Sequence, residues 1–95
     1  QIPLTPSGEM VTGSIEDQCE QVMKNIGAVL AAAGLDYGHV VKTTIFLSSM
    51  DHFATVNGIY GKYFEVVPPA RSTVAVAGLP RGVDVEIEVI ALFPN

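Results

Sequence analysis

The chain has 95 residues, 48% of them hydrophobic and 16% charged, with a net charge of −5 at neutral pH. That is one domain with a modest core, and its five basic residues (Lys24, Lys42, Lys62, Arg71 and Arg81) are too scattered to form the basic patch of a nucleic-acid partner. No stretch approaches the ~20 apolar residues of a membrane span, no signal peptide is visible, and a single cysteine, Cys19, forbids an intramolecular disulfide, so a cytoplasmic protein without membrane contact is the expectation.

Residues 1–10 carry Pro3, Pro6 and Gly8 and read as an extended arm and a turn. Ser14 to Ala33 then reads as an amphipathic helix. Its apolar stripe is Ile15, Cys19, Val22, Met23, Ile26, Val29, Leu30 and Ala33 at three- and four-residue steps. Ser14 is a good N-cap, Glu16 and Asp17 suit the positive end of the helix dipole, and Gly34 fits the left-handed position after the last turn. Cys19 lies on the apolar stripe, where a buried, inert thiol is expected.

Leu35 to His39 is a short loop, and Val40 to Leu47, rich in β-branched residues, is a strand. Ser48 and Ser49 are cap candidates for a second helix with Phe53, Val56, Tyr60, Tyr63 and Phe64 facing inward. Gly58 and Gly61 weaken that helix, and we read them as points of close approach to the sheet. Asn57 reads as structural. Pro68 and Pro69 stop any continuation.

The remainder, Pro68 to Val89, alternates with period two on both sides of a turn bracketed by Gly78 and Gly82. Val74 and Val76 share one face of the first strand; Arg71, Thr73, Ala75 and Ala77 share the other. In the second strand Val83, Val85, Ile87 and Val89 oppose Asp84, Glu86 and Glu88. If both valine-rich faces meet one core, Arg71 lies on the same side of the sheet as Glu86 and Glu88. Two readings follow: a cross-strand ion pair on a solvated face, or one guanidinium and two carboxylates aimed at a ligand. The order helix, strand, helix, strand, strand gives an α+β fold, two helices on one face of a mixed sheet. The other face has no helix left to cover it, and the low charge content agrees with apolar surface hidden in an oligomer.

Pro69-Ala70-Arg71-Ser72 followed by Glu86-Ile87-Glu88 resembles the signature of the reactive intermediate deaminase family, RidA/YjgF. The first helix, from Gly13 to Ile26, and the second, Val56-Asn57 with Tyr60, Tyr63 and Phe64, are similar to the same family, and the match runs from Gln1 to Phe93. The resemblance implies a chorismate-mutase-like domain over 1–95 that forms a homotrimer with sites in the clefts between subunits. It also implies two further strands and a pocket tyrosine ahead of Gln1, so the chain reads as truncated at its N-terminus, with a sheet edge open to pairing.

The activity implied is hydrolysis of 2-imino or enamine acids to 2-oxo acids and ammonia. Arg71 offers a planar fork for the substrate carboxylate, Glu86 holds or activates the attacking water, and Thr73 supplies a hydroxyl at the pocket wall. Glu88 is left a structural or interfacial role. The iminium carbon is already electrophilic, so no metal, cofactor or covalent nucleophile is called for. His39 and His52 stand alone, without metal-ligand spacing. The same arginine also fits a non-catalytic module that binds a small keto acid. Endoribonuclease and chaperone-like roles rank lower, the first because of the acidic charge.

Overall fold

A computed structural model describes residues 1–94. Helix α1 spans Ile15–Ala32. Ser14 caps it by accepting the Asp17 N–H at 3.1 Å. At the other end Gly34 takes φ +76°, and the Gly34 and Leu35 amides return to the carbonyls of Ala31 and Leu30. That pair of bonds satisfies the orphaned carbonyls of the last turn, and glycine meets the left-handed backbone without a Cβ penalty. Of the apolar stripe, Cys19, Val22, Met23, Ile26 and Leu30 are buried and Ile15 is half-buried, whereas Val29, at 56% exposure, and Ala33 face solvent. Gln18, a polar residue one step off the stripe, is buried instead.

Strand β1 is Val40–Leu47, as its β-branched run predicts. A short 3-10 turn, Met50–His52, capped by Ser49, leads into helix α2, Phe53–Gly61. Strand β2 is Ala70–Ala75 and strand β3 is Val85–Ala91. Between them Arg81 and Gly82 turn the chain with φ 56° and 70°. The sheet order is β2-β1-β3, with β1 parallel to β2 and antiparallel to β3. The α+β reading, two helices on a mixed sheet, holds. The connection between β2 and β3 carries the chain across the width of the sheet, so these two strands are not neighbours.

The core lies between the helices and one sheet face. Cys19, Val22, Met23, Ile26 and Leu30 of α1 meet Ile45 and Leu47 of β1, Val85 and Ile87 of β3, and Val56 and Tyr60 of α2. Full burial of each large aliphatic side chain stabilises by roughly 1.5–3 kcal/mol. The arm is tied down by polar contacts. Asn25 donates to the carbonyls of Ile2 and Leu4, and Gln1 exchanges two backbone bonds with Ile87 on the outer edge of β3.

Two expectations fail here. A Cβ at Gly58 or Gly61 would meet nothing within 4 Å, so neither glycine marks a close approach. A close approach is made instead at Gly27, where a Cβ would lie 2.6 Å from the Tyr37 hydroxyl. The second failure concerns the sheet faces and decides the site.

Candidate functional site

The register of the parallel pair sets where Arg71 points. Thr43, Ile45 and Leu47 are buried against the helices, and they pair with Arg71, Thr73 and Ala75. Directly paired residues share a face, so Arg71 and Thr73 lie on the helix side of the sheet. On β3 the residues of that same side are Val85, Ile87 and Val89. Glu86 and Glu88 pair with Phe46 and Thr44 and lie on the opposite, helix-free side, with Ser72 and Val74. The expectation that Arg71 shares a face with Glu86 and Glu88 is therefore wrong, and so is the cross-strand ion pair.

The physical reason is that β2 does not turn its valines to the core. Val74 is 43% exposed on the helix-free face. An edge strand with one neighbour is half covered on either side, so alternation alone cannot say which side is inward.

Helix α2 holds Arg71 in place. Phe53, Asn57 and Tyr60 recur at four- and three-residue steps and fall on one helix face. The Arg71 guanidinium carbon sits 5.7 Å from the Phe53 ring centroid and 5.4 Å from that of Tyr60. Both distances are within cation–π range. Its Nη1 donates to Asn57 Oδ1. Asn57, expected to be structural, is thus a contact of the candidate binding residue, and its i+4 spacing from Phe53 was the signal available. Tyr60 is buried and shares a hydrogen bond of 2.7 Å with Thr43. Burial pushes the Tyr60 phenol above its ordinary pKa, opposed by the Thr43 hydrogen bond and the Arg71 charge.

Arg71, Asn57, Tyr60, Phe64 and Pro69 line an open pocket of about 500 Å³. Among the described residues no carboxylate lies within 4.0 Å of Arg71. Its charge is met by an amide and two aromatic faces, which leaves other N–H groups of the guanidinium for a ligand. Two residues along the same strand face, the Thr73 hydroxyl is buried with no hydrogen-bond partner among the described residues. A buried hydroxyl of that kind is costly unless something bonds to it.

Glu86 stands apart from this pocket, half-buried on the other face, while Glu88 is exposed. One chain therefore brings Arg71 and Thr73 to one side and leaves Glu86 on the other. Elsewhere, Asp84 accepts from Ser48 Oγ at 2.8 Å and from Gln18 Nε2 at 3.0 Å, with His52 Nε2 at 4.0 Å. These bonds hold the Asp84 carboxyl below its ordinary pKa, the Ser48 bond foremost and then that of Gln18. Serine and histidine both face the acid rather than each other, so this is not a nucleophile relay. Cys19 is fully buried and its thiol is pushed up to about 12, chiefly by that burial.

The family model described as Endoribonuclease L-PSP matches residues 1–93. The chain belongs to this family, RidA/YjgF. Protein DfrA of Myxococcus xanthus is 57% identical over 93 residues, 97% of this chain and 71% of that protein. The 2-iminobutanoate/2-iminopropanoate deaminase of Mus musculus is 50% identical over 93 residues, 97% of this chain and 69% of that protein. Among solved structures, E. coli TdcF with bound serine superposes with a TM-score of 0.92 at 39% identity, covering 99% of this chain and 76% of TdcF. The fold expected from the family is thus the fold seen.

Proposed function

We propose that this chain hydrolyses 2-imino and enamine acids: the C=N carbon takes water, ammonia leaves, and a 2-oxo acid remains. The observation that carries it is Arg71, a buttressed guanidinium with no carboxylate partner among the described residues, in a chain half identical to a deaminase of such imino acids. Arg71 grips the substrate carboxylate bidentately and so fixes the neighbouring imine carbon. Thr73 offers its unpartnered hydroxyl to the ligand. Glu86 holds the attacking water as general base.

Because Arg71 and Glu86 face opposite sides of the sheet, a site that uses both takes them from two copies of the chain. This supports an oligomer with sites between subunits, which the family resemblance makes a homotrimer, the helix-free face with Phe46 and Val74 meeting a neighbour. The acidic charge and the lone, unclustered Arg71 speak against RNA as the substrate.

One observation favours a second reading. Among the described residues the Arg71 pocket of a single chain is lined by no carboxylate or histidine, and a relative of this fold holds serine, an amino acid with the same carboxylate. Such a pocket suits a binding module for small carboxylates. The deciding experiment feeds enzymatically generated 2-iminobutanoate to the protein and follows ammonia. Release above the spontaneous rate is expected. Saturable 2-oxobutanoate binding with no such release would leave the binding module standing.

A further inference from the structure

A side chain on an exposed edge strand needs a reason to hold still. Arg71 is exposed and its stem is long and flexible, yet its guanidinium plane decides how a planar carboxylate is met. Three contacts fix it, and they are not equivalent. Asn57 is itself exposed, and Phe53 is half-buried. Tyr60 is buried at 4% exposure, and its hydroxyl is tied to Thr43 across 17 residues of sequence.

Thr43 is also the β1 residue that pairs directly with Arg71. The three residues close a loop: strand register joins Thr43 to Arg71, a cation–π contact joins Arg71 to Tyr60, and a buried hydrogen bond joins Tyr60 back to Thr43. The ring that faces the guanidinium is referenced to the same rung of the sheet as the guanidinium itself. The neutral phenol, its pKa raised by burial, keeps that bond at ordinary pH.

We propose that Tyr60, tethered by Thr43, is the positioning residue that sets the Arg71 fork for a carboxylate ligand. The inference rests on the reading of Arg71 as the carboxylate grip. Phe53 supplies a second aromatic face and Asn57 fixes one edge, but only Tyr60 is anchored to the sheet by its own hydrogen bond. Loss of the tether lets the ring rotate and the fork with it.

The test uses the intact protein, 2-oxobutanoate as calorimetric probe, and steady-state imine hydrolysis. Thr43→Val keeps the side-chain shape and removes the tether. It is expected to raise Kd and KM together by about three- to tenfold, the scale of a lost aromatic–cation contact, with kcat within about twofold. Tyr60→Leu, which removes the ring, should do at least as much, and Thr43→Ser, which restores the hydroxyl, should return Kd to near the native value. A purely structural role would lower the folded fraction, and so apparent kcat, without moving Kd or KM. If Thr43→Val does not fold, Tyr60→Phe drops the same hydrogen bond from the other side and the same rise is expected. Native Kd in both tether variants, with Arg71→Lys losing the ligand, overturns the positioning role and leaves the grip intact. Native Kd in Arg71→Lys overturns both.

Discussion

Arg71 and Glu86 stand on opposite faces of the same sheet, with β1 between their strands. They are separated by roughly 10 Å across the strands and as much again along them. Neither side-chain rotation nor a small backbone shift joins them within one chain. This separation makes the proposed chemistry a statement about assembly.

Complementation between inactive variants tests it directly. Arg71→Lys and Glu86→Gln chains, each inactive alone, are mixed under conditions that exchange subunits. An interface that takes Arg71 from one copy and Glu86 from the next then holds some fully native sites. Partial recovery of imine hydrolysis is expected. No recovery, with exchange verified by mass spectrometry, would overturn a site that shares Arg71 and Glu86 between copies.

Glu86 and Glu88 share the helix-free face, but Glu86 is half-buried and Glu88 exposed. Glu86→Gln keeps the shape and removes the base, so turnover should fall by ~10²-fold or more with little change in 2-oxobutanoate affinity. Glu88→Gln should leave turnover near native. The reverse result in steady-state assays would transfer the role to Glu88.

Thr73 offers a split between stability and binding. Thr73→Val removes a buried hydroxyl with no partner among the described residues, so the melting temperature should hold or rise, by up to about 1 kcal/mol of stability. Ligand affinity should fall in the same variant. Unchanged affinity would take Thr73 out of the pocket wall.

Asp84 ties α1 to the start of β3 through Gln18 and to the end of β1 through Ser48. Its folded pKa is depressed, so its stabilisation is present above the unfolded carboxyl value of about 3.9 and is lost as pH falls through the folded one. The side chain is 40% exposed, and solvent screening keeps the effect modest. Asp84→Asn should cost on the order of 1 kcal/mol at pH 7, because an amide has one acceptor oxygen where Gln18 Nε2 and Ser48 Oγ each use one. Melting curves of the two proteins should begin to converge as pH falls below about 4 and meet below the folded carboxyl value.

Two glycines should respond oppositely to alanine. Gly58 sits inside α2 over open space, so Gly58→Ala should stabilise by up to about 1 kcal/mol. Gly27→Ala drives a Cβ against Tyr37, whose hydroxyl is bonded to the Met23 carbonyl and whose ring packs on Tyr63 and Phe64. That displacement should cancel the helix gain and leave the variant at least about 1 kcal/mol behind Gly58→Ala in chemical denaturation.

What the sequence determined was local. Ser14 and Gly34 bracket α1 because a hydroxyl at the N-cap and a glycine after the C-cap satisfy backbone groups within a few residues, whatever the rest of the chain does. The β-branched run of β1 and the three- and four-residue stripe of α1 likewise marked those elements from composition and period alone. Arg71 was legible too, through the residues around it in the chain.

Only the tertiary structure decided which side of the sheet Arg71 takes. Alternation divides a strand into two faces but cannot say which is inward, and β2 is an edge strand that the core covers only partly. The deciding quantity is its pairing with β1, which sets Arg71 opposite Thr43. That pairing joins residues 28 apart in the chain and brings Asn57, Tyr60 and Thr43 around one guanidinium. No local preference encodes such a meeting, because each member is an ordinary helix or strand residue until the register puts them together.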